Sequence, residues 1–250
     1  MTRFHIHVLV VVPVVALAIF FGNYALLTGS LAASFIIVSL GVVWPRLGLF
    51  GPYLCRGDRS RRCVALTFDD GPDARSTPAL LELLHEARVE AAFFAIGKRV
   101  AAERELAARI VREGHLLENH SFAHSNLTNF FTTPRLKAEL SLAQEAIQQA
   151  TGIAPKLFRP PMGLSNPNVF HAARALGLSV VGWTARGFDT QVQDPERVVQ
   201  RIVRQLQPGA IILLHDGNIP AERLLVTVKL LLAKLRERGY EVVRLDRMLT

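Results

Sequence analysis

Polar and apolar positions divide this chain into two unlike parts. Between Arg3 and Arg46, over the 42 residues 4–45, there is no Asp, Glu, Lys or Arg. From Cys63 onward, short apolar runs alternate with longer stretches whose apolar residues recur at helical spacing. One helix needs about 20 residues to cross a hydrocarbon core of roughly 30 Å. The first part is about twice that length, which predicts a hairpin of two spans, residues 4–21 and 25–43, broken at Gly22-Asn23 with Trp44 at the interface. A signal peptide fits less well, because its n-region would hold only Arg3, its core would be too long and a second apolar segment follows. Two core helices of a water-soluble fold also fit less well, since nothing later in the chain supplies a partner for a helix apolar on every face.

In the second part, Thr77-Pro78, Thr133-Pro134, Asn166-Pro167 and Asp194-Pro195 each place a capping side chain before a proline at the first helical position. Two further helices, 100–113 and 221–238, end at Gly114 and Gly239, where glycine takes the left-handed cap. Strands are expected at 64–68, 91–96, 115–118, 156–158, 178–183, 210–214 and 241–245. About seven βα-type units without internal repeats or low-complexity tracts point to one α/β domain, either an incomplete (β/α) barrel or an open doubly wound sheet.

Residues 46–62 join the two parts and carry Gly48, Gly51, Pro52 and Gly57 with Arg56, Arg59, Arg61 and Arg62. The expected organisation is a membrane segment at 1–45, a basic juxtamembrane linker at 46–62 and a catalytic domain at 63–250. Arginines clustered beside a span favour the cytoplasmic side, and an even number of spans puts Arg3 there too. A multi-pass protein of the cytoplasmic membrane with an inward-facing domain is expected, the extracytoplasmic face being the alternative. The net charge of +8 suits membrane lipid or an anionic substrate. Without a basic stripe interleaved with aromatics it does not indicate nucleic acid. The two cysteines, Cys55 and Cys63, could pair in an oxidising compartment and would stay reduced in the cytoplasm. Nothing in the sequence bears on oligomeric state.

Candidate chemistry gathers where the strands end. The first apolar run stops at Asp69-Asp70, and Gly71-Pro72 turns the chain; alone, this is turn chemistry. However, His120 and His124 follow the third strand, Arg159 the fourth, Asp189 the fifth, and His215 with Asp216 the sixth, and barrels of this kind build their sites at the carboxyl ends of strands. Two histidines four apart share a face if the segment is helical. With one carboxylate they make the ligand set of a catalytic zinc that keeps an open position. Asp70, His120 and His124 are the expected ligands, zinc being preferred and other divalent ions compatible. Asp69 is placed to take a proton from water, Arg159 to hold Asp69 ionised, and His215 to protonate a departing amine. A stiff loop accounts for Arg159-Pro-Pro161 alone, and a capped turn for Leu213-Leu-His-Asp216 alone; neither accounts for the set. His85, His171, His5 and His7 carry no chemistry in this reading, Phe93-Phe94 are core, and Phe130-Phe131 are open to stacking on a sugar.

The segments Thr67-Phe-Asp-Asp-Gly-Pro72, His120-Ser-Phe-Ala-His124, Arg159-Pro-Pro-Met-Gly163 and Leu213-Leu-His-Asp216 resemble, in order, the motifs of the polysaccharide deacetylases, the NodB-like domain of carbohydrate esterase family four. The match runs over residues 62–250. It implies a distorted (β/α) barrel, a divalent metal, usually zinc, and hydrolysis of the N-acyl group of an amino sugar in a polysaccharide, an oligosaccharide or a lipid-linked glycan. By resemblance Asp69 is the base, Asp70, His120 and His124 the ligands, Arg159 the partner of Asp69 and His215 the acid. Leu213 lines the pocket for the acyl methyl. Met162 stands where the family often has tyrosine, a residue whose backbone N–H helps hold the oxyanion. The fourth motif departs from the family: Trp183-Thr-Ala-Arg-Gly-Phe-Asp-Thr190 offers Arg186, Asp189 and Thr190 where two aspartates and a tryptophan are usual, so Asp189 alone is kept to tune His215, with Trp183 in the sugar pocket. Arg186 also supports the alternative of a metal-retaining, inactive glycan-binding module; a purely structural membrane protein predicts no metal.

Overall fold

The computed structural model describes residues 2–249; Met1 and Thr250, the outermost positions of the expected membrane segment and catalytic domain, lie outside the described residues. Two helices open the chain, α1 (Arg3–Phe20) and α2 (Tyr24–Val43). The expected break is present: Gly22 takes a left-handed φ of +63°, and the Asn23 side chain accepts from Leu26 N–H at 3.0 Å to start α2. His7 Nε2 and Ser34 Oγ, 2.9 Å apart, join the two helices. Only Ala18 of α1 and Gly41 of α2 are buried. Both helices are long and apolar enough to cross a membrane, and they leave Leu9, Ile19, Phe20 and Phe35 more than half exposed.

The remainder is one sheet with helices packed on it. Its strands are β1 (Cys63–Asp69), β2 (Ala92–Ala95), β3 (Leu116–Asn119), β4 (Leu157–Phe158), β5 (Ser179–Val180), β6 (Ala185–Arg186), β7 (Ala210–His215) and β8 (Glu241–Val242). All pair in parallel, in the order β5-β4-β3-β2-β1-β7-β6, with β8 beside the first two residues of β1. The sheet curls into an incomplete barrel. Around it lie α3 (Thr77–Ala87), α4 (Gly97–Ala102), α5 (Arg104–Arg112), α6 (Thr133–Thr151), α7 (Pro167–Ala175), α8 (Pro195–Arg204), α9 (Ala221–Glu237) and α10 (Leu245–Leu249). β1 is the centre: all seven residues are buried, as a parallel strand covered on both faces requires, and Phe68 stacks on Phe93 at 5.2 Å.

Four details differ from the sequence reading. The seven expected strands are all present, but β6 is an eighth, and at two residues it is too short to carry a hydrophobic period. The helix expected at 100–113 is two helices, divided at Glu103, whose φ of −117° is not helical. Asn166 and Asp194 cap α7 and α8 with their side chains as expected. At α3 and α6 the caps are instead Ser76 and Thr132, so each threonine is already helical and its hydroxyl bonds elsewhere, Thr77 to Asp216 at 2.6 Å and Thr133 to Asn168 at 3.0 Å.

Residues 46–62 are strapped across the sheet. Leu54 N–H donates to Val180 O at 2.9 Å, Gly182 N–H to Leu54 O at 3.0 Å, and Gly57 N–H to Gly209 O at 2.9 Å. The strap therefore touches the chain at the end of β5 and just before β7. Arg46 Nη2 donates to Trp183 O at 3.0 Å, and Arg3 Nη1 to Leu47 O at 2.8 Å. These bonds hold the domain against the end of the hairpin where α1 begins and α2 ends.

Candidate active site

Where β1 ends, the backbone leaves the strand sharply. Asp70 has φ +74°, a conformation an L-residue adopts only when its surroundings impose it. Gly71 is required next: a Cβ there would lie 2.2 Å from Asp216 Oδ2. Asp216 is itself pinned, accepting from Thr77 Oγ1 at 2.6 Å and donating its N–H to Asp69 O at 3.1 Å. The turn thereby sends the two carboxylates in different directions.

Asp69, 4% exposed, meets the fully buried Arg159, whose Nη1 donates to Asp69 Oδ1 at 2.6 Å and to Thr67 Oγ1 at 2.8 Å. Arg159 Nη2 donates to Gly182 O at 2.9 Å, and its guanidinium lies 4.1 Å over the Phe94 ring. The planar fork is thus fixed on three acceptors and an aromatic face. Losing either member would strand a buried charge, a loss of about 3–5 kcal/mol.

The histidine segment is a loop and not the helical turn that the four-residue spacing suggested. Ser121 and His124 both have positive φ, +64° and +50°. Asn119, buried at the end of β3, shapes the loop by accepting from Ser121 N–H at 2.8 Å while its Nδ2 donates to Leu140 O at 2.9 Å. The result still brings the imidazoles together, with ring centres 4.8 Å apart.

Asp70 Oδ1 lies 3.5 Å from His120 Nε2 and 3.2 Å from His124 Nε2, and it is buried without a hydrogen-bond partner among the described residues. His120 Nδ1 is 2.7 Å from Arg159 O. A carbonyl can only accept, so Nδ1 carries the proton and Nε2 presents a lone pair toward Asp70. An orphaned carboxylate oxygen facing a bare imidazole nitrogen is repulsive unless a cation lies between them. One donor atom from each of Asp70, His120 and His124 fits within 4.8 Å of the others, a donor set that suits a divalent ion.

His215 closes the site. Asp69 and His215 are register partners on the adjacent strands β1 and β7, so a carboxylate and an imidazole stand side by side at the carboxyl edge of the sheet. Asp189 accepts from His215 N–H at 2.8 Å and lies 3.0 Å from His215 Nδ1. Burial disfavours the charged ring, but the hydrogen bond and charge of Asp189, with Asp69 and Asp70 beyond, outweigh it and push the imidazole up to about 9. Asp189 follows β6 and not the fifth strand, the unread short strand being the reason for the shift.

A cavity of about 470 Å³ collects these groups. Nine of the ten residues given a role in the deacetylase reading line it: Asp69, Asp70, His120, His124, Met162, Trp183, Asp189, Leu213 and His215. Arg159 lies behind Asp69, bonded to its Oδ1. Leu213 is 4% exposed in the wall, whereas Met162 is 61% exposed at the rim with φ +60°. Gly163 is dictated by Trp183, whose ring would sit 2.0 Å from a Cβ there. Phe131 is buried beneath Arg135, Phe130 is exposed, and neither lines the cavity. Sequence reasoning missed Thr67, whose hydroxyl donates to Ile212 O at 2.8 Å while accepting from Arg159. It also missed Phe188, 3.9 Å under the Arg186 guanidinium, and Asn218, whose Nδ2 makes a long 3.5 Å contact to Asp70 Oδ2. A polar residue just past Leu213-Leu-His-Asp216 was the only sequence signal for Asn218.

Comparison with known proteins gives a consistent result. Residues 56–181 match the polysaccharide deacetylase family. A chitooligosaccharide deacetylase from a Bradyrhizobium species is 35% identical over 72% of this chain and 88% of its own. A peptidoglycan-N-acetylglucosamine deacetylase from Bacillus cereus is 32% identical over 76% of this chain and 89% of its own. A solved structure from Bacillus anthracis, described as a pseudoenzyme of carbohydrate esterase family four, superposes with a TM-score of 0.73 at 27% identity, covering 80% of this chain and 69% of that one.

Proposed function

Because the chain belongs to the polysaccharide deacetylase family, we propose that it hydrolyses the N-acetyl group of an amino sugar in a glycan, with Asp69 as base, His215 as acid and a zinc ion on Asp70, His120 and His124. The observation that carries this reading is the side-by-side placement of Asp69 and His215 over the three-donor cluster in one cavity. A divalent ion held there polarises the acyl carbonyl and the attacking water when bound. Asp69, oriented through Oδ1 by Arg159, takes the proton from that water as it adds to the acyl carbon. Leu213 shapes the wall for the methyl, Met162 N–H serves the oxyanion that develops at the acyl carbon, and the Trp183 ring bounds the sugar. His215 Nδ1 is engaged by Asp189, so Nε2 delivers the proton to the departing amine as the carbon–nitrogen bond breaks, giving acetate and a free amino sugar. Chitooligosaccharide, peptidoglycan and lipid-linked glycans are all substrates of this chemistry.

The two apolar helices serve, in this proposal, as a membrane hairpin, with residues 46–62 as a docked basic segment and residues 63–250 as the catalytic domain. The reading of an inactive, glycan-binding module has two observations in its favour, Arg186 in the fourth motif and the likeness to a solved pseudoenzyme. The complete set of base, acid and ligand donors supports the enzyme instead. Acetate release from N-acetylated chitooligosaccharide, assayed with zinc-loaded protein, separates the two. Asp69→Asn should retain the metal and lose about 10²–10⁴-fold in kcat, whereas His120→Ala should lose metal and activity together. An Asp69→Asn variant as active as the parent sinks the mechanism.

A further inference from the structure

Beyond the reaction itself, and resting on the deacetylase reading, we infer that the acylated amino sugar arrives attached to a phosphate, which a second cavity beside the catalytic one receives. This cavity, of about 410 Å³, shares Met162, Gly163, Trp183, Arg186 and Phe188 with the catalytic cavity. The two are therefore continuous across the Met162–Trp183 rim. Its far wall is Val43, Trp44, Pro45 and Arg46, the exit of α2.

The charge in the two cavities is opposite. Asp69, Asp70 and Asp189 line the first; none of the described residues lining the second is Asp or Glu, and two are arginines. Arg186 is half-buried, stacks 3.9 Å from the Phe188 ring centre and 5.5 Å from that of Trp183, and has no carboxylate partner among the described residues. Burial alone acts on it, lowering its pKa. Arg46 uses Nε and Nη2 to hold Trp183 O at 3.2 and 3.0 Å, and it too has no carboxylate partner among the described residues. Two guanidinium groups without a carboxylate partner among the described residues, one of them half-buried against two aromatic rings, make a site for a multiply charged oxyanion. Arginine matches phosphate with paired N–H bonds. A neutral sugar chain leaves the two cations without a counter-charge. The position completes the argument: a phosphate between the α2 exit and the catalytic cavity is where an anomeric phosphate joins a sugar to its carrier, with Val43 and Trp44 beside the carrier. A phosphate-linked lipid and a sugar nucleotide share this chemistry.

The test uses the full chain in lipid vesicles, zinc-loaded, with three substrates: N-acetylglucosamine on a phosphoryl-prenyl carrier, N-acetylglucosamine on a nucleoside diphosphate, and a neutral N-acetylated chitooligosaccharide. The expected result is a kcat/KM at least tenfold higher for one phosphate-linked substrate than for the neutral one. Arg46→Gln and Arg186→Gln should each cut that preference at least tenfold through KM, and Arg186→Lys should restore part of it. Preference for the prenyl carrier assigns the phosphate to a lipid, and preference for the nucleotide assigns it to a soluble donor; both uphold the phosphate site. Equal kcat/KM for neutral and phosphate-linked substrates, or variant losses equal on both, overturns the inference and leaves the deacetylase reading standing. No hydrolysis of any of the three overturns that reading and this inference with it.

Discussion

Asp189 is the residue on which the proposed acid role of His215 depends. Burial alone would keep the imidazole neutral, and the carboxylate that meets both its Nδ1 and its backbone N–H reverses this, holding the ring near 9. A pKa raised above the ordinary value of about 6.5 means the protonated form is complete below that value and is lost as pH rises through the raised one. Hydrolysis should therefore fall on an alkaline limb near pH 9, where the acid loses its proton. Asp189→Asn keeps the shape and removes the charge, and it should move that limb down by about one to two pH units. Metal content should stay unchanged. A pH profile of kcat checks this, and a limb that does not move assigns the acid elsewhere. Residues of this kind were legible because their types are few and their positions coincide with strand ends. Asp69, Asp70, His120, His124, Arg159 and His215 could be read in that way. Thr67 and Phe188 could not, since a threonine inside a strand and a phenylalanine in a loop acquire roles only from Arg159 and Arg186, which the fold brings to them across the sheet.

At the scale of elements, the same contrast holds between what period and punctuation encode and what neighbours impose. Strand β1, the two apolar helices and the caps Asn166 and Asp194 followed from a short apolar run, apolar length and capping chemistry. The break at Glu103, the two-residue β6 and the loop conformation of residues 120–124 did not, because each is set by contacts outside its own window. The histidine loop shows how. Ser121 N–H, at a left-handed residue that no helix would hold, is satisfied by Asn119 Oδ1, and Asn119 Nδ2 ties the same point to α6. Asn119→Ala leaves a buried N–H without its acceptor, a cost of about 1–3 kcal/mol, and frees the loop that aims both imidazoles. Zinc affinity should fall about 10–100-fold, as for other supports behind metal ligands, together with a lower melting temperature. Isothermal titration with zinc and a thermal melt of the zinc-free protein measure the two effects. A variant that loses stability but binds zinc as tightly as the parent denies Asn119 any part in aiming the ligands.

For the whole molecule, the proposed membrane hairpin raises the question of which side the barrel occupies. Helices of 18 and 20 residues rise about 27 and 30 Å at 1.5 Å per residue, close to the thickness of a hydrocarbon core. The tip of the hairpin, Phe20-Phe21-Gly22-Asn23-Tyr24, carries no charge, and its three aromatic rings are 74–81% exposed. All the nearby arginines are at the other end: Arg3 is bonded to Leu47 O, Arg46 to Trp183 O, and Arg56, Arg59, Arg61 and Arg62 follow along the strap. Since Lys and Arg near span ends are retained in the cytoplasm, both ends of the hairpin and the barrel they hold should face inward. An inward-facing site cannot reach a finished wall polymer and can reach a precursor, which is the form in which a sugar carries phosphate. A reporter active only in the cytoplasm, fused at the carboxyl end of the chain, should be active, and one that requires export should be silent, with the fusion recovered in the membrane fraction at full length. The opposite pair of signals, or release of the domain after cleavage near α1, would place the barrel outside, where wall polymers become its substrate and a phosphate-linked one would have to be presented from the outer leaflet.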